Sequence, residues 1–214
     1  MPRWKIAGWC FLLLGMASPG FSQEAPANLV RLGAGATFPV NGTGWITDHL
    51  QTSWMATASY DRFLSPHWAL EAGGSFQRNP VDTSDSPISD LDLFSDTWGL
   101  HAGVRSELFT QDTFHFYTDL GIGFYQSMLY ADGTREDSAS GWGVPLGLGG
   151  EFFLPARLSL GLRLGYLPLF MPKGASFDSL EVQFLIGTFW GKTPGQTSNK
   201  TKREPSVPEP RSRF

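Results

Sequence analysis

The sequence predicts an all-β fold, an eight-stranded antiparallel up-and-down transmembrane β-barrel with short periplasmic turns and longer extracellular loops. Three observations predict it. Eight segments of roughly ten residues alternate apolar with small or polar side chains, as barrel strands do. In WGVPLGLGGEFFLPARLSLGLRLGYLP, for example, Val144, Leu146, Leu148 and Phe152 share one parity, while Gly143, Gly147, Gly149 and Glu151 share the other. A period of two places those sets on opposite faces of a strand. The connections alternate between tight turns and long polar loops. The apolar face carries aromatic residues at both ends and aliphatic residues between them, which suits a side chain placed where hydrocarbon meets headgroup.

Residues 1–22 read as a secretory signal peptide, with Arg3 and Lys5 ahead of an apolar run and the small residues Gly20 and Ser22 at its end. That run is too short to span about 30 Å of hydrocarbon as a helix. The single cysteine, Cys10, lies within it, so a mature chain would hold neither disulfides nor thiolate chemistry. The barrel is expected over 28–191, with strands at 29–40, 50–63, 67–77, 94–109, 114–130, 142–154, 158–170 and 180–191. Residues 64–66, 110–113 and 155–157 then form the short turns. Residues 41–49, 78–93, 131–141 and 171–179 form the outer loops. An even strand count returns the carboxyl end to the side where the chain began.

Toward the loop ends the outward parity places Phe38, Trp54, Phe76, Trp98, Tyr130, Trp142 and Tyr166. Toward the turn ends it places Tyr60, Trp68, Phe114, Phe116, Phe152 and Trp190. A soluble lipocalin-type barrel would carry a polar outside instead. Residues 192–214, KTPGQTSNKTKREPSVPEPRSRF, hold too little apolar surface to offset the entropy of ordering and are expected to form a disordered periplasmic tail. A basic tether for an anionic partner is the alternative reading of that tail. A net charge of -4 lacks the basic face that nucleic acid requires.

On the patterns LGAGATFPV, DLGIGFYQSMLY, VPLGLGGEFF and LEVQFLIGTFW, the chain resembles the small OmpA-like and OmpX-like outer-membrane barrels across 29–191. The resemblance implies residence in the outer membrane after export. Its partners would be outer-membrane lipids and lipopolysaccharide, the outer-membrane assembly machinery and an extracellular ligand met through the loops. Phe189 and Trp190 are the candidate assembly signal. Members include structural anchors, adhesins, narrow pores and a few lipid-modifying enzymes, so the resemblance does not choose a role.

A mechanism would have to lie in the lumen, which eight strands leave only wide enough for side chains. Parity sends Arg31, Glu71, Arg105, Asp119, Glu151 and Arg163 inward, all in the turn-side half of their strands, with Asp61 and Glu107 nearer the same rim. Buried charges must be paired, because an isolated ion costs several kcal/mol. The expectation is therefore an ion-pair plug, with a narrow gated path as the sharper alternative. Small residues such as Gly33, Gly73, Gly99, Gly123, Gly143 and Gly147 line the loop-side half. They either leave a cavity open to the outside or relieve crowding around Met55, Tyr125 and Leu167.

No catalytic set is expected. His49 falls in an outer loop, His67 and His115 at the periplasmic rim, and His101 inward at mid-strand, so no serine and histidine share a loop-side, lipid-facing position. The histidines lack metal-ligand spacing, and GAGATFP precedes no helix that could hold a phosphate. No cofactor or metal is therefore assigned. DTSDSPISDLDLFSD, residues 82–96, reads as a solvated acidic loop; weak Ca²⁺ binding or divalent bridging to lipopolysaccharide is its alternative. The function expected is structural or surface-interactive and non-enzymatic, with a channel for ions or small solutes and a lipid A-modifying enzyme as alternatives.

Overall fold

The computed structural model describes residues 26–84, 91–111, 113–172 and 176–192. The expected signal peptide, and the tail beyond Lys192, lie outside them. The chain forms β1 (Pro26–Gly42), a short turn of helix α1 (Trp45–Asp48), β2 (Ser53–Ser65), β3 (Trp68–Pro80), β4 (Leu93–Gln111) and β5 (Phe114–Ala131). It continues as β6 (Thr134–Gly143), β7 (Leu146–Leu154), β8 (Leu158–Phe170) and β9 (Phe177–Lys192). Every neighbour pairs antiparallel, and β1 pairs with β9 from Pro26↔Lys192 to Gly42↔Phe177, so the sheet closes on itself.

β6 and β7 are two halves of one barrel strand, since both pair with β5 and with β8. The ring therefore has eight positions, as the alternation predicts. The interruption at Val144–Pro145 follows from Pro145, which has no N–H to give to a ladder. Its carbonyl still accepts from Gly121 N at 2.9 Å, and Val144 N still reaches Pro168 O at 3.2 Å, so the wall is bent there without being opened.

Several boundaries differ from the sequence reading, and the larger differences lie at the outer end. The expected loop at 131–141 is a strand and a tight turn, with β5 and β6 paired from Ala131↔Thr134 inward. Asp132 and Gly133 take φ of 48° and 77°, the left-handed pair whose twist matches a hairpin and which Asp-Gly favours. β3 runs on to Pro80 and β4 begins at Leu93, because Pro80 pairs with Phe94 above the membrane-facing band. β2 begins at Ser53. Leu50, which was expected to start that strand, makes a lone bridge to Val81 and packs on the lumen's outer apolar cluster. β9 begins at Phe177, earlier than expected, because it follows β1 to its end.

The outward face carries Leu100 at 73 % exposure and Phe184 at 69 %, with Leu32, Ile122 and Leu164 also exposed. A continuous apolar patch of that extent has no place in water; it is the surface that hydrocarbon covers. Trp54, Phe76 and Trp98 form a ladder at the outer rim, with centroids 5.1 and 4.3 Å apart. Tyr60 and Trp190, 6.5 Å apart, and Phe114 and Phe152, 4.8 Å apart, lie at the turn end. The barrel thus replaces the apolar core of a soluble protein with side chains of the opposite parity.

Candidate functional site

The lumen is filled in layers. Its turn-side floor is apolar: Leu29, Phe63, Ala69 and Phe153 cluster there, with Phe189 packed against them. Each comes from the inward parity at the periplasmic end of a different strand, which places the charged layer above them out of reach of water from that side.

Above the floor the structure brings the six sequence-assigned residues into two linked groups. Arg105 is fully buried; its Nε donates to Glu107 Oε1 at 2.8 Å, and its Nη1 to Glu151 Oε2 at 2.9 Å and Asp61 Oδ2 at 3.2 Å. Arg31 donates from Nη2 to Asp61 Oδ1 at 3.0 Å and Glu71 Oε2 at 2.9 Å. Asp61 therefore bridges two guanidiniums. Arg163 forms the second group, a bidentate pair with Asp119 at 2.9 and 2.6 Å plus a bond to Glu181 at 3.2 Å. Parallel N–H donation of this kind fixes geometry as well as energy. Glu71, whose Oε1 lies 3.2 Å from His101 Nε2, faces the space between the groups.

Sequence reasoning left out four participants. Glu181 and Gln183 lie on the inward parity of β9 and bond each other at 2.9 Å. Tyr117 stands between the arginines: its hydroxyl accepts from Arg31 Nη1 at 3.0 Å, and the Arg105 guanidinium lies 3.6 Å from its ring centroid. That stacking accounts for Arg105 Nη2, which has no hydrogen-bond acceptor. His115 places Nδ1 3.4 Å from Glu107 Oε2. Asp61 and Glu107, expected only near the rim, are central members. Each shares its strand's inward parity, although parity does not say which guanidiniums meet at Tyr117.

The glycines make room for this packing. A Cβ on Gly147 would lie 2.5 Å from both Arg163 Nε and Asp119 Oδ2. One on Gly149 would collide with the Tyr117 ring, and ones on Gly99, Gly123 and Gly143 with the Tyr125 ring. Crowding relief is thus the role of these positions. Among the described residues a cavity of about 30 Å³ lies above the charged layer, lined by Arg31, Glu71, His101, Arg163, Glu181 and Gln183 among others. That is room for a few water molecules. Over it Tyr125, Leu167, Leu169, Met171 and Phe177 close the outer half as a second apolar cluster.

The lumen is therefore a sandwich of two apolar layers around a charged one. Chemically it can hold charge in fixed geometry. His101 and His115 turn their rings to carboxylates within the lumen. Among the described residues no group of His, Cys, Asp or Glu is arranged to hold a metal ion. Of the acidic stretch at 82–96, Asp96 is bound within the sheet by Arg78 through two bonds of 2.7 Å. Residues 85–90 lie outside the described set. Asp82 accepts the Ser84 backbone amide at 3.0 Å, which holds its carboxyl below the usual range.

Comparison with known proteins agrees with the barrel. Among solved structures the chain is similar to Neisserial surface protein A, with TM-score 0.56, 12 % identity, and coverage of 79 % of this chain and 100 % of that one. It is similar to the outer membrane protein OprG from Pseudomonas aeruginosa, with TM-score 0.52, 12 % identity, and coverage of 80 % and 97 %. Ail, the attachment invasion locus protein of Yersinia pestis, matches with TM-score 0.48, 15 % identity, and coverage of 75 % and 98 %. No curated protein matches the sequence. At such identities the first two likenesses speak for the fold alone. The model of the outer membrane protein beta-barrel domain, however, matches residues 10–186, and the chain belongs to that family.

Proposed function

We propose that this outer-membrane barrel has a structural or surface-interactive role, with a closed lumen and with its outer loops and hairpin as the contact surface. One observation carries the reading. Arg105 bonds Asp61, Glu107 and Glu151, and none of the four side chains is more than 1 % exposed. An ion entering the lumen would have to break these pairs and also cross the apolar layers on either side, each step costing several kcal/mol. The reading is non-catalytic: the inward histidines contact carboxylates, and the small lumen cavity lies between the charged layer and the outer apolar cluster. The partners that fit are outer-membrane lipids and lipopolysaccharide around the apolar band, the assembly machinery during insertion, and an extracellular ligand at the rim.

Potassium efflux from proteoliposomes tests it. Liposomes carrying the full chain should lose potassium no faster than protein-free ones. Efflux that rises in proportion to the amount of folded barrel would overturn the closed lumen and favour the channel.

A further inference from the structure

On the periplasmic half of the lipid-facing wall, two polar residues interrupt the apolar pattern side by side. Asn28 and Arg62 lie on the outward parity of β1 and β2 and pair directly, and Trp190 of β9 pairs with Asn28 on its other side. Tyr60 and Trp190 stand exposed next to them. This is the turn-end aromatic belt, the level of the phospholipid headgroups of the inner leaflet. An amide on such a face needs a reason, because a polar group taken from water costs free energy unless it is bonded. Its contacts supply one. Asn28 is only 8 % exposed, and its Oδ1 accepts from both Tyr60 Oη and Arg62 Nη1 at 2.7 Å. Its Nδ2 donates to Trp190 O at 3.4 Å. The amide thus holds a phenol and a guanidinium in place beside each other.

The charge of Arg62 is unanswered within the described residues. Arg31, Arg78, Arg105 and Arg163 each meet a carboxylate, whereas Arg62 meets only the Asn28 amide. A guanidinium has five N–H donors, so most of those on Arg62 remain for another acceptor. The carboxylates of the turn-side half, on Asp61, Glu71, Glu107, Asp119 and Glu151, are bonded inside the lumen. Toward the midplane the wall beside the cluster is low. Leu32, Ala58, Gly74 and Leu100 form one lateral row across β1 to β4, with small residues in the middle and exposed leucines at either side. The opposite wall has no such dip, since Leu160 and Leu162 of β8 pair with Ile186 and Phe184 of β9.

We propose that Arg62, held by Asn28 and flanked by Tyr60 and Trp190, binds the phosphodiester of an anionic glycerophospholipid in the inner leaflet. Arg62 donates to the phosphate oxygens, for which the planar guanidinium is suited, and an acyl chain lies over Ala58 and Gly74. Asn28 is the positioning residue. Charge selects the headgroup. A zwitterionic lipid brings an ammonium for which this rim offers no described outward carboxylate, whereas a net anionic one is answered by the arginine alone. The proposal rests on the membrane placement given above and narrows its lipid contact to one headgroup site.

The test is native mass spectrometry of the folded full chain in detergent, titrated with dioleoyl phosphatidylglycerol or dioleoyl phosphatidylcholine. Phosphatidylglycerol should be retained at a single preferred site, about fivefold tighter than phosphatidylcholine, the worth of one arginine at a membrane surface. Arg62→Gln should abolish that preference. Asn28→Ala, which keeps the charge and removes the amide that positions it, should reduce the preference. Arg157→Gln removes a cation from the turn between β7 and β8 and should leave the preference unchanged. Soluble glycerol phosphate should not displace the lipid. Heat-modifiable gel migration confirms that each variant is folded. Equal retention of the two lipids by the wild-type chain would overturn the proposal, whether or not any variant folds. So would a preference that survives Arg62→Gln or is untouched by Asn28→Ala, or one lost equally in Arg157→Gln. Displacement by glycerol phosphate would overturn the assignment to a lipid and mark a site for free phosphate esters. These results leave the closed-lumen reading intact, because potassium efflux decides that reading separately.

Discussion

Arg105 shows how a single residue can hold the interior of this barrel together. Its guanidinium meets Glu107, Glu151 and Asp61 and stacks on Tyr117, all of them buried. Replacing a buried ionic network with apolar groups can be neutral, but removing one partner strands the others. Arg105→Met leaves Asp61 to Arg31 alone and leaves Glu151 and Glu107 without a guanidinium. It should therefore cost about 3–5 kcal/mol in urea unfolding from lipid vesicles; a cost below about 1 kcal/mol would mean that the pairs add little. The outward face obeys the opposite rule. Leu148 points to lipid from the middle of its strand, with 39 % of its surface exposed. Leu148→Arg should cost about 2–4 kcal/mol in the same assay. Asp82 lies outside the membrane and contributes through its bond from Ser84. Because its folded carboxyl titrates below the ordinary value of about 3.9, the turn it holds is favoured above that pH. The turn loosens as pH falls through the lowered value. A carboxyl-carbon NMR titration should find the Asp82 midpoint below that of an unstructured aspartate.

At the scale of the element, the β5–β6 hairpin separates what was legible in the sequence from what was not. A strand in the membrane must show apolar residues to lipid at every second position, so β1 to β5 and β7 to β9 could be placed from parity within a few residues. Above the membrane that requirement lapses. TREDSAS has no apolar alternation, and it reads as loop although it is paired with β5 throughout. The remaining signal was the Asp132–Gly133 pair, whose positive φ values define the turn. The same logic divides the site. Arg31, Arg105 and Arg163 and their first carboxylates stood out as charges on an inward parity, whereas Glu181 lay on that parity within LEVQFLIG and went unassigned. Tyr117 was hidden for another reason. Its role depends on which guanidiniums meet across the lumen, and parity along one strand does not fix that. The turn itself can be tested. A Cβ at Gly133 would touch nothing within 4 Å, so Gly133→Val should destabilise the hairpin only through its backbone, by about 1 kcal/mol. The amides of 134–140 should then exchange faster, while those of β8 stay unchanged.

For the whole molecule, two solvents explain the architecture. Lipid takes the apolar parity, so the other parity can form a core of ion pairs enclosed between the Leu29–Phe63 floor and the Tyr125–Leu169 cluster. A barrel built this way has a filled lumen, and the proposed interaction surface lies at its outer ends, where β6 rises beyond β8. Whether the lumen conducts can be read by planar-bilayer recording. Folded wild-type protein should insert without steady conductance. Steady ohmic steps from the wild-type chain that change size when Arg105 or Glu151 is neutralised would contradict it.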